Sequence, residues 1–470
     1  MMSTVHAPRA TPGRAAVHVK GAPERVLAVC DRILEGGSVR PLDDYTKKQI
    51  LFRNQEMATR ALRVLALAYK EVEGTPAPEE AALERGLVFL GLAGMMDAPR
   101  KDAIDAIRRA KRAGITVVMI TGDHKLTAMA VAREMGILEK GDPALTGEEL
   151  DGLSDDALRE EVRRVRVYAR VSPEHKLRIV RAWKARGDIV AMTGDGVNDA
   201  PALKTADLGV AMGVTGTDVA KEAADMVLLD DNFASIIAAV EEGRGVYENI
   251  RKFVRYLLST NSGEVLVLFI ASIIASTRFF PLPLLPLQLL WINLITDGFP
   301  ALALGVEPKE RGLMDRRPRD PKAGILAEGM GLHIAWVGVL MAVGALGLYA
   351  WALPRLAPDE SRTLVFYTVA MFQVFHVLAI RVSRESVFRE GFFRNKYLIG
   401  AVLLTIALQL VVIYVPALQV PFRTQPLPWN EILVATLVAS SVFFAVELEK
   451  WARRRRERRL NVATPPSPTP

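Results

Sequence analysis

The run Thr193-Gly194-Asp195-Gly196-Val197-Asn198-Asp199-Ala200-Pro201-Ala202-Leu203-Lys204 sets two carboxylates four residues apart on a glycine turn, directly after the apolar stretch Asp188 to Met192. Mg2+ keeps several waters and is held by one or two carboxylates together with phosphate oxygens, so Asp195 and Asp199 make a place for Mg2+ and phosphate. An isolated Thr-Gly-Asp is an ordinary polar turn after a buried strand; the length of this run sets it apart. A second turn of the same kind, Thr121-Gly122-Asp123, follows the apolar run Thr116 to Ile120. Its hydroxyl and backbone N–H groups can cradle a phosphoryl group.

A second group of oxygen donors lies in strongly apolar sequence. Asn261 and Glu264 stand three apart and share one helix face, while Asn293, Thr296 and Asp297 at i, i+3 and i+4 share another. Carboxylates, amide carbonyls and a hydroxyl, with no thiolate among them, are the ligands that hard Ca2+ prefers. Hydrogen bonding between helices accounts for an Asn or a Thr in such a setting, but two carboxylates inside membrane spans mark function. Gly298 and Pro300, just after Asp297, predict an interrupted helix of the kind found at transport sites.

Holding these groups requires a sheet and a helical bundle. The runs Val88 to Ala93, Thr116 to Ile120 and Asp188 to Met192 read as strands, with amphipathic helices such as Lys101 to Arg112 between them. Alternation of this kind predicts an α/β, doubly wound parallel sheet whose ligands sit beyond the carboxyl ends of the strands. Six stretches are long and apolar enough to cross a bilayer: Ile250 to Ser276, Leu285 to Gly305, Leu332 to Leu353, Leu364 to Ile380, Leu398 to Val415 and Ile432 to Leu448. Basic residues cluster after the second (Lys309, Arg311, Arg316, Arg317, Arg319, Lys322), the fourth (Arg381, Arg384, Arg389, Arg394, Lys396) and the sixth. The opposite loops carry only Arg278, then Arg355 and Arg362, then Arg423, so the soluble part and the carboxyl terminus are expected in the cytoplasm of a multi-pass cell-membrane protein.

Composition agrees with that division. Of 470 residues, 50% are hydrophobic, and the long apolar runs lie beyond about residue 250. Much of the net charge of +7 sits in Lys450 and the arginines 453–456, 458 and 459 after the last apolar run. That tail is a topology anchor at a lipid surface, and no nucleic-acid partner is expected. The single cysteine, Cys30, excludes an intramolecular disulfide and reads as a core filler. No apolar core near the amino terminus suggests a cleavable signal peptide.

The twelve-residue run resembles the hinge motif of P-type cation-transporting ATPases, and the resemblance extends along nearly the whole chain. Asn261-Ser-Gly-Glu264 and Asn293-Leu-Ile-Thr296-Asp297-Gly-Phe-Pro300 resemble the ion-site segments of type II Ca2+ pumps of the sarco/endoplasmic reticulum kind and their bacterial relatives. The resemblance implies a haloacid-dehalogenase-like phosphorylation domain over 95–248, behind the remnant of a nucleotide-binding domain over 1–94. It also implies an all-α bundle of six transmembrane helices over 249–449 and a basic tail over 450–470. It places Lys176, in Ala169-Arg-Val-Ser-Pro-Glu-His-Lys176, where such phosphotransferases neutralise an aspartyl-phosphate, with Thr121, Gly122 and Asp123 beside the phosphoryl group and Asn198 and Asp199 supporting the Asp195 loop. Lys20 in Lys-Gly-Ala-Pro-Glu and Arg63 in Leu-Arg-Val-Leu-Ala-Leu-Ala would belong to the ATP site.

Two departures stand out. Family members form the phosphoenzyme on the Asp of Asp-Lys-Thr-Gly-Thr, and no Asp here is followed by Lys. The expectation is therefore the carboxyl-terminal half of a Ca2+ pump using Mg2+ and ATP, completed by an amino-terminal half; the alternatives are an inactive membrane protein that keeps its cation sites, or a pump for Mn2+ or another divalent ion. The other departure is Gln373, where two-ion members carry a Glu, which implies one ion per cycle. His376 nearby reads as a packed polar residue, and Thr146-Gly147-Glu148 as a turn of no catalytic role.

Overall fold

A computed structural model of the chain describes residues 1–6, 14–60, 62–73, 83–95, 99–275 and 281–463. Ser276 and Arg278, and the tail beyond residue 463, lie outside the described residues. Two compact units divide the chain: Met1–Ala238 with Met314–Pro321, and Ala239–Leu313 with Lys322–Pro470.

The first unit opens with six strands, β1 (Met2–His6), β2 (Arg14–Gly21), β3 (Cys30–Glu35), β4 (Ser38–Pro41), β5 (Arg63–Glu73) and β6 (Leu87–Met95). They form one sheet in the order β1-β2-β5-β6-β3-β4, in which only β3 and β6 run parallel. The run Val88 to Ala93 thus belongs to this mainly antiparallel sheet and not beside the Thr-Gly-Asp strands. An apolar run announces burial without naming its partner, and here Val17, Val19, Ala66, Ala68, Leu87 and Phe89 bury the common face. Cys30 fills that core, and burial pushes its thiol up to about 11. At that value it is no nucleophile.

The rest of the unit is parallel. β7 (Met119–Ile120), β8 (Ala144–Thr146) and β9 (Val167–Ala169) form a sheet in the order β7-β9-β8, and β10 (Ala191–Gly194), β11 (Leu208–Met212) and β12 (Met226–Leu228) form another in chain order. β10 starts three residues later than the apolar run predicts. The Val190 N–H goes to the Asp207 carboxylate at 2.9 Å, and the Val190 carbonyl accepts from the N–H groups of Asp207 and Leu208. Helix Pro173–Ala185 covers both sheets, with Ile179 and Ala182 in the cluster around Tyr168 and Val180 in the cluster around Met192 and Leu203. Its start is set by Pro173 at the first helical position and by Ser172, whose hydroxyl accepts from His175 N–H.

Asp231 closes the loop after β11. It stands at φ +48° and accepts hydrogen bonds from the N–H groups of Gly213, Val214 and Thr215 and from the Thr215 hydroxyl, at 2.7 to 3.0 Å. The Val214 N–H first, then those of Thr215 and Gly213, hold its carboxyl at about 2. Its folded value lies below the unfolded value of about 3.9, so its stabilisation is complete above roughly pH 4 and fades as pH falls toward 2. Asp231→Ala is expected to flatten thermal stability between those pH values relative to the native chain. An unchanged acid limb would show that these bonds carry no linked stability.

The second unit is helical. Six helices are long and apolar enough to cross a membrane: Phe233–Ile274, Pro286–Gly305, Met330–Ala352, Pro358–Ile380, Lys396–Tyr414 and Trp429–Arg456. Their number and length are those of a multi-pass membrane protein. The first span belongs to a long helix that starts at Phe233, well before the apolar stretch, and continues to Ala275. The fourth span is the centre of the bundle, with 94% of its apolar window buried against 33 to 44% in the others. It begins at Pro358, earlier than hydropathy predicts, because Pro358 sits at the helix start with Asp359 and Glu360 in the first turn. The sixth span does not end at a separate tail: its helix runs on to Ala463, and the first proline after it is Pro465.

The second span is interrupted, but before Asp297 rather than after it. Residues Ile292–Thr296 form a π-helical turn in which Asp297 N–H donates to the Ile292 carbonyl at 2.9 Å, and a new helix spans Gly298–Gly305. Pro300 has no N–H to offer the Thr296 carbonyl, yet it is tolerated in a first turn. The irregularity is therefore displaced one turn upstream, onto the oxygen donors.

Candidate phosphate and cation sites

The phosphate-type site is built at the carboxyl end of β10. A Cβ on Gly194 would stand 2.5 Å from the Asp199 Cβ, so only glycine lets the loop fold back on itself. Asp199 is 5% exposed; its Oδ2 accepts from the N–H groups of Asp195 (3.3 Å) and Gly196 (3.2 Å), and its Oδ1 accepts from Lys176 Nζ at 2.6 Å. Both oxygens are thus engaged inside the loop. Asp195 and Asn198 are exposed, and among the described residues the Asp195 carboxylate has no hydrogen-bond partner. In the other turn the Thr121 hydroxyl donates to Asp123 Oδ2 and accepts from Asp123 N–H, both at 3.1 Å, and open space surrounds Gly122. The structure brings Lys176 to Asp199 directly and leaves the second turn exposed. Thr146 and Glu149 form a capping box at the start of helix Gly147–Asp151, a structural task.

Lys20 lines a cavity of about 260 Å³ with His18, Leu67 and Leu90 on the six-stranded sheet. Arg63 lies outside that cavity but on the same strand face as Leu67, four residues along β5, or about 13 Å at strand rise.

The cation-type site is compact. Glu264 is 4% exposed; Asn293 Nδ2 donates to its Oε2 at 2.9 Å and Gln373 Nε2 to its Oε1 at 2.8 Å. Gln373 Oε1 accepts from the Thr296 hydroxyl at 2.5 Å, which joins the first, second and fourth spans. Asp297 is fully buried; its Oδ2 accepts from Thr260 at 2.9 Å, and its Oδ1 has no partner among the described residues. A buried, unpartnered carboxylate oxygen is a ligand atom free to face a cation. Neither carboxylate is paired with a Lys, Arg or His among the described residues, so the donor set fits a hard cation. Among those residues no group of three or more His, Cys, Asp or Glu is placed to hold a metal, which leaves amides and hydroxyls to complete any shell here. Asn261 is half-buried and makes no hydrogen bond to this group. Thr260 escaped the sequence reading; its place one turn before Glu264 was the signal.

One chain thus carries a parallel α/β site with a lysine-held acidic loop and six apolar helices with buried carboxylates. Family models match the parts. A family model described as cation transporting ATPase, C-terminus, matches residues 281–452; P-type ATPase, cytoplasmic domain N, matches 1–102; haloacid dehalogenase-like hydrolase matches 177–240. The chain is 46% identical over 428 residues to the calcium-transporting ATPase of Bacillus subtilis, covering 90% of this chain and 47% of that protein. It is 40% identical over 434 residues to calcium-transporting ATPase type 2C member 2 of Rattus norvegicus, covering 92% and 44%, and 43% identical over 418 residues to probable cation-transporting ATPase F of Mycobacterium tuberculosis, covering 87% and 45%. The chain belongs to the P-type cation-transporting ATPases and fits their carboxyl-terminal half. It spans about half the length of the curated relatives it matches.

Proposed function

We propose that this chain is part of an ATP-driven pump that carries Ca2+ across a membrane through an aspartyl-phosphate intermediate. The observation that carries the reading is the convergence of Glu264, Asn293, Thr296, Gln373 and Asp297 inside a six-span bundle. Ca2+ is the cargo of that site, and the neutral Gln373 where a carboxylate could stand favours one ion per cycle. Asn261 joins the shell only after a side-chain rearrangement.

In the soluble unit Asp195, with its open carboxylate, would hold Mg2+, whose charge offsets that of the phosphoryl oxygens. Asp199 is better suited to shaping the loop and orienting Lys176 than to binding the metal directly, since both its oxygens are engaged. Thr121, Gly122 and Asp123 would receive the phosphoryl oxygens, with Asn198 supporting the loop. ATP would lie along the six-stranded sheet between Lys20 and Arg63. Residues 1–94, 95–248, 249–449 and 450–470 would serve as nucleotide, phosphorylation, transport and anchoring segments, with the first two and the last in the cytoplasm. The phosphorylated Asp would be supplied from outside these 470 residues, since none of their Asp residues precedes a Lys.

Membranes containing the protein, labelled with radioactive ATP and run on an acidic gel, test the reading. A Ca2+-dependent, hydroxylamine-sensitive label is expected on a band longer than this chain that reacts with an antibody to the arginine-rich tail. Label with Mn2+ but not Ca2+ would change the ion, and tail-reactive protein with no label at any size would sink the pump.

A further inference from the structure

We propose that a small cavity lined by Arg255, His333, Lys450 and Arg453, at the start of the arginine-rich segment of the last helix, binds one inorganic anion of halide size. The cavity measures about 20 Å³ and is also lined by Glu328 and Glu449. That is room for one water or one monatomic ion and too little for a phosphate group.

Arg255 on the first span is 9% exposed and makes no hydrogen bond or ion pair among the described residues; its Nε is buried and unpartnered. A guanidinium stays charged, and a buried charge without a partner is strongly destabilising. The neighbouring side chains are engaged elsewhere. Glu328 takes Arg251 at 2.7 Å, Glu449 takes His333 Nδ1 at 2.6 Å, Lys450 reaches Glu447 at 2.7 Å and the Ala379 carbonyl at 2.5 Å, and Arg453 donates only to a backbone carbonyl, that of Glu328, at 2.6 Å. Glu449 lies on the same wall and opposes an anion, but its Oε2 faces His333 and it makes no bond to Arg255. Glu449 and Glu248 lie near enough to interact with the charge of Arg255 but neither bonds it; a water would satisfy one N–H and add no charge, whereas an anion supplies both in direct contact. The site is independent of the cation site and of the pump reading.

The test is thermal unfolding of the full chain, purified in detergent with neutral phosphatidylcholine and followed by tryptophan fluorescence, in sodium chloride, bromide or gluconate at one ionic strength. Chloride and bromide are expected to raise Tm saturably by about 2–4 °C over gluconate, and Arg255→Gln to abolish the difference. Chloride-35 NMR on the native chain gives a reading that needs no variant: the chloride line broadens with protein and sharpens again when bromide is added. Equal Tm values in chloride and gluconate, retained halide dependence in Arg255→Gln, or stabilisation by phosphatidylglycerol alone would each overturn the proposal.

Discussion

Glu264→Gln is expected to weaken Ca2+ binding by roughly 10²–10³-fold, measured by equilibrium binding of radioactive Ca2+ to the purified chain in a Mg2+ background. The substitution keeps the size of the side chain but leaves one acceptor oxygen in place of two, so only one of the contacts, to Asn293 or to Gln373, can re-form while the charge is lost. Removing one carboxylate charge from a buried site that a bound Ca2+ would balance costs about 3–5 kcal/mol, and each 1.4 kcal/mol is tenfold in affinity. Asp297→Asn should do the same, because Asp297 Oδ1 is buried and has no hydrogen-bond partner among the described residues. Thr260→Val removes only the hydrogen bond to Asp297 Oδ2 and should cost about 1 kcal/mol, or roughly fivefold. Equal affinity in the native chain and Glu264→Gln would remove the carboxylate pair from the site.

Arg381→Ala is expected to be the most destabilising single change in the bundle. Arg381 is 1% exposed, bonds Glu307 through Nε at 3.2 Å, and donates its terminal nitrogens to the carbonyls of Phe392 and Gly391. Glu307 also accepts from Asn395 at 2.6 Å, and Asn249 donates to its backbone carbonyl at 2.8 Å. One buried ion pair thus ties the first and second spans to the end of the fourth and the start of the fifth. Truncating the arginine leaves Glu307 charged and buried, at about 3–5 kcal/mol, a fall in Tm of roughly 6–20 °C. Arg389→Ala, which removes an exposed i,i+4 pair with Glu385, should change stability by less than about 1 kcal/mol. Replacing both Arg381 and Glu307 with apolar residues should recover much of the loss; if the single and double variants unfold alike, the pair is not what holds this end together.

Arg381 also shows where reading the chain in one dimension stops. Charge counting places it among the loop arginines that set orientation, and nothing local separates it from Arg384 or Arg389. Only the folded bundle brings Glu307 to it across 74 residues of sequence. Asp199 behaves the same way. Its spacing from Asp195 is legible as two carboxylates on a turn, but the 2.6 Å approach of Lys176 and the two N–H bonds, which favour loop support over direct metal contact, depend on helix Pro173–Ala185 lying against β10. The strand Val88 to Ala93 was legible as buried and illegible as to its sheet, because apolar alternation records burial and not the partner.

Short-range physics was written in the sequence. The six spans, the two Thr-Gly-Asp turns and the carboxylates in apolar surroundings follow from hydropathy, glycine geometry and the cost of charge in a membrane, each of which acts within one turn or one span. The sixth span's course beyond the bilayer, the π-turn at Ile292–Thr296, the bond from Thr260 to Asp297 and the Gln373 bridge between Glu264 and Thr296 were decided by tertiary structure. Those contacts join residues from different spans, and their energies depend on which side chains packing brings within about 3 Å of each other.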